Sequence, residues 1–144
     1  MKVGIVGWRG MVGSVLLERM EAEGDFESIE ATFFSTSNSG AKTPLIAGRH
    51  HDLADAYDIS ALVDQDVILT CQGGEYTSKV YGAVREAGWQ GYWIDAASTL
   101  RLDPEAVIVL DPVNGKEIRE ALDQGVKTYV GGNCTVSLML MALG

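Results

Sequence analysis

The chain has 144 residues, of which 47% are hydrophobic and 22% are charged, and its formal net charge is −9. This length can bury the core of one compact domain, and the composition is typical of a soluble globular protein. The negative charge argues against a nucleic-acid partner and against an anionic membrane surface, because both require a basic protein surface.

Neither a leader peptide nor a membrane anchor is indicated. The N-terminus passes straight into the first predicted strand, without a separate apolar segment or cleavage site. The longest apolar run, residues 136–143, is interrupted by Ser137 and is too short to span a bilayer. The two cysteines, Cys71 and Cys134, lie far apart and are expected to be free thiols. We therefore expect a cytoplasmic protein.

The first predicted elements are a strand, a glycine-rich turn and a helix. Lys2 to Val6 is a short apolar run that predicts a buried strand, and Gly7 to Gly13 follows with the spacing G-x-x-G-x-x-G. The next helix has apolar residues at the spacing of one face, namely Val12, Val15, Leu16 and Met20. This arrangement indicates a site for a dinucleotide pyrophosphate at a helix N-terminus. A purely structural role for the glycines stays open, because the commoner spacing is G-x-G-x-x-G.

The second predicted strand, Ile29 to Phe34, ends in hydroxyl-bearing residues. NAD-specific sites usually have an Asp or Glu there to hold the ribose hydroxyls. This chain has Ser35, Thr36 and Ser37 instead, with no carboxylate to repel a 2′-phosphate. The sequence therefore favours NADP, and the alternative that these hydroxyls only cap a loop stays open.

Residues 39–65 are the least patterned part of the chain. We predict a surface excursion with one short helix near Ile59 to Val63. His50, His51 and Asp52 have the side chains of metal ligands, but adjacent side chains diverge and no second cluster completes a site. We therefore expect a solvated loop and no metal.

Strands and helices alternate over the rest of the chain. The remaining strands are predicted at Asp66–Cys71, Tyr92–Asp95, Val107–Leu110 and Lys127–Val130. One helix runs through Val80 and Val84 and ends at Gly88. Another is predicted to begin at Asn114, with Glu117 as the partner of its cap. The alternation predicts a single α/β domain with a Rossmann-like, doubly wound and largely parallel sheet joined by right-handed crossovers.

Gly131-Gly132-Asn133-Cys134-Thr135 lies between the last strand and a C-terminal helix. The first turn of a helix has unpaired N–H groups and a positive dipole end, which favour an anion. A thiolate is the form of cysteine that attacks a carbonyl carbon, so Cys134 is a candidate nucleophile. The alternative is that Cys134 is a small buried apolar residue. Cys71 ends a strand and lacks this setting, so we expect it to be packed and unreactive.

Five blocks of sequence together resemble bacterial aspartate-semialdehyde dehydrogenases. The blocks are Gly7–Ser14, Phe33–Ser37, Thr70–Gly74, Trp93–Ser98 and Gly131–Val136. The resemblance covers essentially the whole chain but only the N-terminal part of the family's enzyme. It implies that residues 1–144 are an NADP-binding domain that ends just after the catalytic cysteine, and that a second, catalytic and dimerisation domain is absent.

The resemblance also implies roles for particular residues. The residues that contact NADP would be Arg9, Gly10, Met11, Val12, Thr36, Ser37 and Gln72, with Thr36 and Ser37 near the 2′-phosphate. Arg101 and Asn133 would bind phosphate beside Cys134. A guanidinium can hold phosphate through two parallel hydrogen bonds. Judged from the residues alone, Arg101 fits a solvated surface position better.

The reaction implied by the resemblance is a phosphorylating aldehyde oxidation. The Cys134 thiolate attacks aspartate semialdehyde, hydride passes to NADP, and inorganic phosphate displaces the resulting thioester as aspartyl phosphate. In biosynthesis the reaction runs in reverse and feeds lysine, threonine and methionine. The partners would be a small-molecule substrate and phosphate, and the full-length enzyme would be a homodimer.

The family's histidine base and its arginine for the substrate carboxylate have no counterpart in residues 1–144, and His50 and His51 do not replace them. We therefore expect the chain alone to bind the cofactor without turnover. The last helix is expected to expose apolar surface and to promote self-association.

Three alternatives stay open. The chain could be a non-catalytic NADP-binding module. It could also belong to a sibling phosphorylating dehydrogenase that acts on acetylglutamyl phosphate or glyceraldehyde phosphate. A thiol redox protein is the weakest alternative, because Cys71 and Cys134 do not form a C-x-x-C pair.

Overall fold

Within residues 1–143, which the computed structural model describes, seven strands form one sheet in which every neighbouring pair is parallel. The strands are β1 (Lys2–Val6), β2 (Glu30–Ser35), β3 (Leu53–Asp55), β4 (Val67–Thr70), β5 (Tyr92–Asp95), β6 (Ala106–Val109) and β7 (Thr128–Gly131). Their order across the sheet is β3-β2-β1-β4-β5-β7-β6. The predicted Rossmann-like parallel sheet is confirmed.

Helices cover both faces of the sheet. They are α1 (Met11–Glu23), α2 (Ile59–Val63), α3 (Gly74–Glu86), α4 (Asp111–Asp123) and α5 (Cys134–Leu143), and a 3₁₀ turn spans Asp25–Glu27. One core cluster packs Leu17 of α1 against Ile5 of β1, and the other packs Val80 of α3 against Val6. Adjacent residues of β1 therefore face opposite cores, as expected of a strand buried on both sides.

The buried face of α1 differs from the prediction. Val12 and Val15 are each 56% exposed, whereas the buried residues are Gly13, Leu17 and Met20. These three are spaced by four and three residues, so they also form one helical face. The glycine at position 13 lets α1 approach the preceding turn closely, and this approach sets which face of the helix meets the sheet.

Residues 39–65 contain a strand that the sequence analysis did not predict. β3 pairs with β2, with Phe33 opposite Leu53, and forms an edge of the sheet. Three residues are too few to show a strand periodicity, and the pairing depends on a partner about 20 residues earlier in the chain. The short helix predicted at Ile59–Val63 is confirmed with those bounds.

Helix α4 begins at Asp111, three residues before its predicted start. Pro112 lies in the first turn, where a missing N–H has no cost. Asn114 forms a non-helical kink, and its side chain hydrogen-bonds to residues that precede it in the chain. Oδ1 accepts from the Leu110 N–H at 2.9 Å, and Nδ2 donates to the Ile108 carbonyl at 2.7 Å. Asn114 therefore lies where the second segment of α4 begins, close to the predicted start, but the prediction that its side chain caps that segment is wrong.

Helix α5 has no buried residue, and its large apolar side chains are exposed, Leu138 at 73% and Leu143 at 80%. The expected exposed apolar surface is present, and self-association itself stays a prediction. α5 is ten residues long. Among residues 1–143, no helix combines the length and the apolar character that crossing a membrane requires.

Candidate functional site

The sheet has a topological switch point between β1 and β4. The chain leaves β1 towards β2 on one side, and β4 lies on the other side. Open parallel sheets bind ligands outside the carboxyl ends of their strands at such a point. A cleft of about 280 Å³ opens there, lined by Arg9 and Gly10 after β1, Thr36 after β2 and Gln72 after β4. Four of the predicted cofactor-binding residues are therefore brought together.

The glycine turn is built from backbone contacts that exclude side chains. Gly7 has a φ of +74°, and a Cβ on it would overlap the backbone of Cys71 and Gln72. A Cβ on Gly13 would overlap the Gly7 carbonyl oxygen and the Trp8 backbone. A Cβ on Gly10 would meet only the Gly7 oxygen, at 3.5 Å. Gly7 and Gly13 are thus required by packing, so the structural role left open by the sequence is real and coexists with a role in forming the cleft.

The N-terminus of α1 is available to an anion. Its N-cap, Gly10, has no side-chain oxygen to accept from the first-turn amides, and no acidic residue lies in the first turn. Met11 and Val12 open the helix beside the cleft, and both are exposed. Uncapped amides and the helix dipole suit a pyrophosphate group, so the residues present fit a dinucleotide.

The Arg9 guanidinium lies at the carboxyl end of β2. Nη2 donates to Ser35 Oγ at 3.3 Å and to Ser37 Oγ at 3.1 Å. With the Asn38 amide oriented to satisfy both of its polar atoms, Nη1 donates to Oδ1 at 3.2 Å. The guanidinium also stacks over the Trp8 ring, 5.5 Å from its centroid. The Arg9 cation is thus held by hydroxyl and amide oxygens. No carboxylate takes part, because residues 35–41 include no Asp or Glu.

Cys134 is the first residue of α5 and is exposed, so it is not a packed core residue. Asn133 precedes it, and its Oδ1 accepts from the Val136 N–H at 3.1 Å. Asn133 therefore caps the helix that carries the thiol. The Asn133 Nδ2 group has no acceptor among the described residues.

Arg101 is half-buried and does not behave as a solvated surface residue. Its Nε donates to the Gly131 carbonyl at 2.8 Å, and its Nη2 donates to the Gly132 carbonyl at 3.1 Å. Nη1 has no acceptor within residues 1–143. One arginine from the loop after β5 thus binds two successive carbonyls in the segment that leads to Cys134.

Cys71 differs from Cys134 in its surroundings. Burial raises the pKa of the Cys71 thiol, and the nearby Asp95 carboxylate raises it further, so the thiol form predominates at neutral pH. Cys71 lines both the cleft and an apolar groove of about 280 Å³ that extends to Gly131 at the end of β7. The cleft therefore continues along the carboxyl-terminal ends of the strands towards the segment that carries Cys134.

Asp95 is a buried polar residue to which the sequence analysis assigned no role. Its side chain is 1% exposed and accepts three hydrogen bonds, from the Thr77 hydroxyl at 2.6 Å, the Trp93 indole at 3.2 Å and the Ala97 N–H at 2.7 Å. The signal that the sequence offered for such a role is a carboxylate at the end of an apolar strand.

His50 and His51 lie together in the loop before β3. The described residues contain no group of three or more His, Cys, Asp or Glu side chains able to hold a metal.

The switch-point cleft, the uncapped helix and the glycine turn define the dinucleotide-binding class of α/β domain. The profile of the family described as "Semialdehyde dehydrogenase, NAD binding domain" matches residues 2–121. The chain belongs to this family, whose members are oxidoreductases.

Solved structures show the same relationship. Aspartate semialdehyde dehydrogenase from Francisella tularensis is 54% identical with a TM-score of 0.95, and the match covers 99% of this chain and 39% of that one. Aspartate semialdehyde dehydrogenase II from Vibrio cholerae, complexed with ASA, is 27% identical with a TM-score of 0.77, covering 99% and 44%. The Candida albicans enzyme with NADP, at 15% identity and a TM-score of 0.65 over 94% and 43%, shares the fold. The resemblance to aspartate-semialdehyde dehydrogenase is confirmed, and the chain spans about two fifths of these relatives' length.

Proposed function

We propose that this chain supplies the NADP site and the nucleophile of an aspartate-semialdehyde dehydrogenase. The enzyme would interconvert aspartate semialdehyde and aspartyl phosphate in lysine, threonine and methionine biosynthesis, acting as a homodimer as the resemblance implies. The observation that carries the proposal is an exposed thiol, Cys134, on the first residue of a helix that follows β7, at the same sheet edge as the cofactor cleft.

The chemistry of the chain's own residues centres on the Cys134 Sγ. As a thiolate, Sγ adds to the aldehyde carbon of aspartate semialdehyde and forms a tetrahedral thiohemiacetal. A bound NADP⁺ would supply the hydride acceptor for this carbon, and Sγ would then carry the aspartyl group as a thioester. A phosphate oxygen then attacks the thioester carbonyl, the carbon–sulfur bond breaks, and Sγ leaves as thiolate with aspartyl phosphate as the product.

Phosphate is proposed to bind beside the thiol. Within residues 1–143 neither the Arg101 Nη1 group nor the Asn133 Nδ2 group has an acceptor, and both belong to residues that hydrogen-bond the segment around Cys134. A fixed guanidinium and an amide donor suit a phosphate dianion. Phosphate binding would use Arg101 Nη1 and Asn133 Nδ2 and would leave the contacts of both side chains with the backbone intact.

NADP is proposed as the cofactor because Arg9 is the cation at the end of β2. The residues proposed to contact it are Arg9, Gly10, Met11, Val12, Thr36, Ser37 and Gln72. The uncapped α1 amides suit the pyrophosphate, and Arg9 with the hydroxyls of Thr36 and Ser37 suits a 2′-phosphate. NAD lacks that phosphate and would leave Arg9 without an anionic partner.

We expect Arg9→Gln to lower the affinity for NADP⁺ by roughly 10- to 100-fold, since a hydrogen bond to a charged group contributes about 1.5–3 kcal/mol. The affinity for NAD⁺ should change little. Titration calorimetry with both nucleotides measures this, because tryptophan fluorescence would also report the loss of the contact with Trp8.

Arg19→Gln is the matched control for charge, because Arg19 is an exposed α1 residue that forms an ion pair with Glu23 on the same helix. It should leave both affinities unchanged. Equal losses of NADP⁺ and NAD⁺ affinity in the Arg9 variant, or no loss of either, would show that Arg9 does not read the 2′-phosphate.

The proposed nucleophile is tested by single transfer rather than by turnover, because the histidine base that the resemblance implies is not among residues 1–144. Incubation of the chain with aspartyl phosphate, without nucleotide, should transfer one aspartyl group to the Cys134 Sγ and release one phosphate. Intact mass and peptide mapping detect the thioester.

Cys134→Ala should form no thioester, and Cys71→Ala should form as much as the parent chain. Modification of Cys71 at the same rate as Cys134 would argue against a specific nucleophile. NADP⁺ binding with an inert Cys134 would favour the alternative of a non-catalytic binding module.

A further inference from the structure

We propose that Arg101 is a positioning residue that holds the main chain of Gly131 and Gly132 and thereby fixes Asn133 and Cys134. The importance of this role for catalysis rests on the function proposed above. The positioning itself is a property of the folded chain and is tested without substrate.

The contacts of Arg101 are directed at the two glycines that precede Asn133: Gly131 is the last residue of β7 and pairs with Val109 of β6, whereas Gly132 lies beyond the strand. Glycine has more conformational freedom than any other residue, and two glycines in succession lie immediately before Asn133. The Nε and Nη2 groups of a single planar guanidinium donate to the carbonyls of both glycines, at 2.8 Å and 3.1 Å. A rigid fork that binds two carbonyls constrains both peptide planes together, which a single ammonium group does not do.

Few other contacts hold the N-terminus of helix α5 in place: the helix touches α4, and Gly132 lies close to Ile108 of β6. None of its residues is buried, so core packing does not fix the helix. The local contacts are the Asn133 cap and the close approach of Gly132 to Ser137, where a Cβ on Gly132 would lie 2.6 Å from the Ser137 Oγ. Both lie within the segment itself. The Arg101 hydrogen bonds connect that segment to the loop that follows β5.

The loop that carries Arg101 is itself braced. Asp95, at the end of β5, accepts the Ala97 N–H at 2.7 Å with one carboxylate oxygen, and its other oxygen binds Thr77 of α3. Further along, the Arg101 N–H donates to the Ser98 carbonyl at 3.1 Å and closes a turn. The guanidinium therefore extends from a fixed backbone, which is what a positioning residue requires.

The test is the rate at which iodoacetamide, a neutral reagent, alkylates Cys134 in the parent chain, Arg101→Lys and Arg101→Ala, followed by peptide mass mapping. We expect both variants to react roughly five- to tenfold more slowly, because each loses the fork that holds both glycine carbonyls and leaves the Cys134 Sγ without a fixed orientation. Lysine keeps the charge but not the fork. Added guanidinium at low millimolar concentration should restore part of the rate in Arg101→Ala and should not raise the rate of the parent chain.

Arg119→Lys, at an exposed position on α4, is the control and should react like the parent chain. NADP⁺ affinity, which does not involve Arg101, should be unchanged in every variant. If Arg101→Lys reacts at the parent rate, only the charge matters and the inference fails. It also fails if both variants lose NADP⁺ affinity, because Arg101 would then stabilise the whole fold. If the parent chain takes up no aspartyl group while the Arg101 variants are alkylated more slowly, the proposed function is overturned and this inference still holds.

Discussion

Gly13→Ala is expected to destabilise the chain by about 3 kcal/mol and to abolish NADP⁺ binding. An added Cβ would overlap the Gly7 carbonyl oxygen and the Trp8 backbone. These are main-chain atoms of the turn after β1, so relief requires α1 to move away from the sheet rather than a side chain to rotate. Such a shift would also open the packing of Leu17 and Met20, which are buried on the same face of α1. Denaturant unfolding followed by tryptophan fluorescence gives the free energy of unfolding.

The matched variant is Gly10→Ala in the same turn. Gly10 has a φ of −71°, which any residue adopts, and its Cβ would meet only the Gly7 oxygen at 3.5 Å. Its free energy of unfolding should stay within about 0.5 kcal/mol of the parent value. If the two alanine variants have equal stability, the turn is not held by the backbone contacts described above.

Asp95→Asn is expected to destabilise the chain by about 2–4 kcal/mol. The two carboxylate oxygens accept from three donors, and the side chain is 1% exposed. An amide has only one acceptor oxygen, so its NH₂ group must face either the Ala97 N–H or the Thr77 and Trp93 donors. The Ala97 N–H or the Trp93 indole would then lose its acceptor, whereas the Thr77 hydroxyl can turn to the Gly73 carbonyl at 3.4 Å.

Asp123→Asn removes the same charge at an exposed position at the end of α4, where the side chain makes no hydrogen bond within residues 1–143. Its free energy of unfolding should change by no more than about 0.5 kcal/mol. The Asp95 variant should also alkylate more slowly at Cys134 if the loop after β5 braces Arg101. A stable Asp95→Asn variant would show that the buried donors have other acceptors.

Several elements were predictable because their signals are local. β5 is observed at its predicted bounds, Tyr92–Asp95, and α2 at Ile59–Val63. The turn after β1 was recognised from its glycines, since positive φ and close backbone approach both favour glycine. Cys134 was placed at a helix start from the strand and glycines before it, and the structure has it as the first residue of α5. Each of these signals lies within about ten residues of the feature it predicts.

Other features depended on contacts between distant parts of the chain. β3 exists because it pairs with β2, and the outermost position of β6 beyond β7 cannot be read from the order of the strands along the chain. The apolar pattern of α1 fitted two helical faces, and the approach of Gly13 to Trp8 selected the buried one.

The sequence by itself determined the class of fold, the glycine turn after β1 and the candidate thiol, because periodicity, glycine conformation and helix ends are local properties. Only the tertiary structure decided that Arg101 binds the Gly131 and Gly132 carbonyls and that Asp95 supports its loop. Arg101 and Gly131 are 30 residues apart, and the parallel pairing of β5 with β7 brings their strand ends together. A hydrogen bond across that distance has no signature in the sequence, since it depends on which strands are neighbours in the folded sheet.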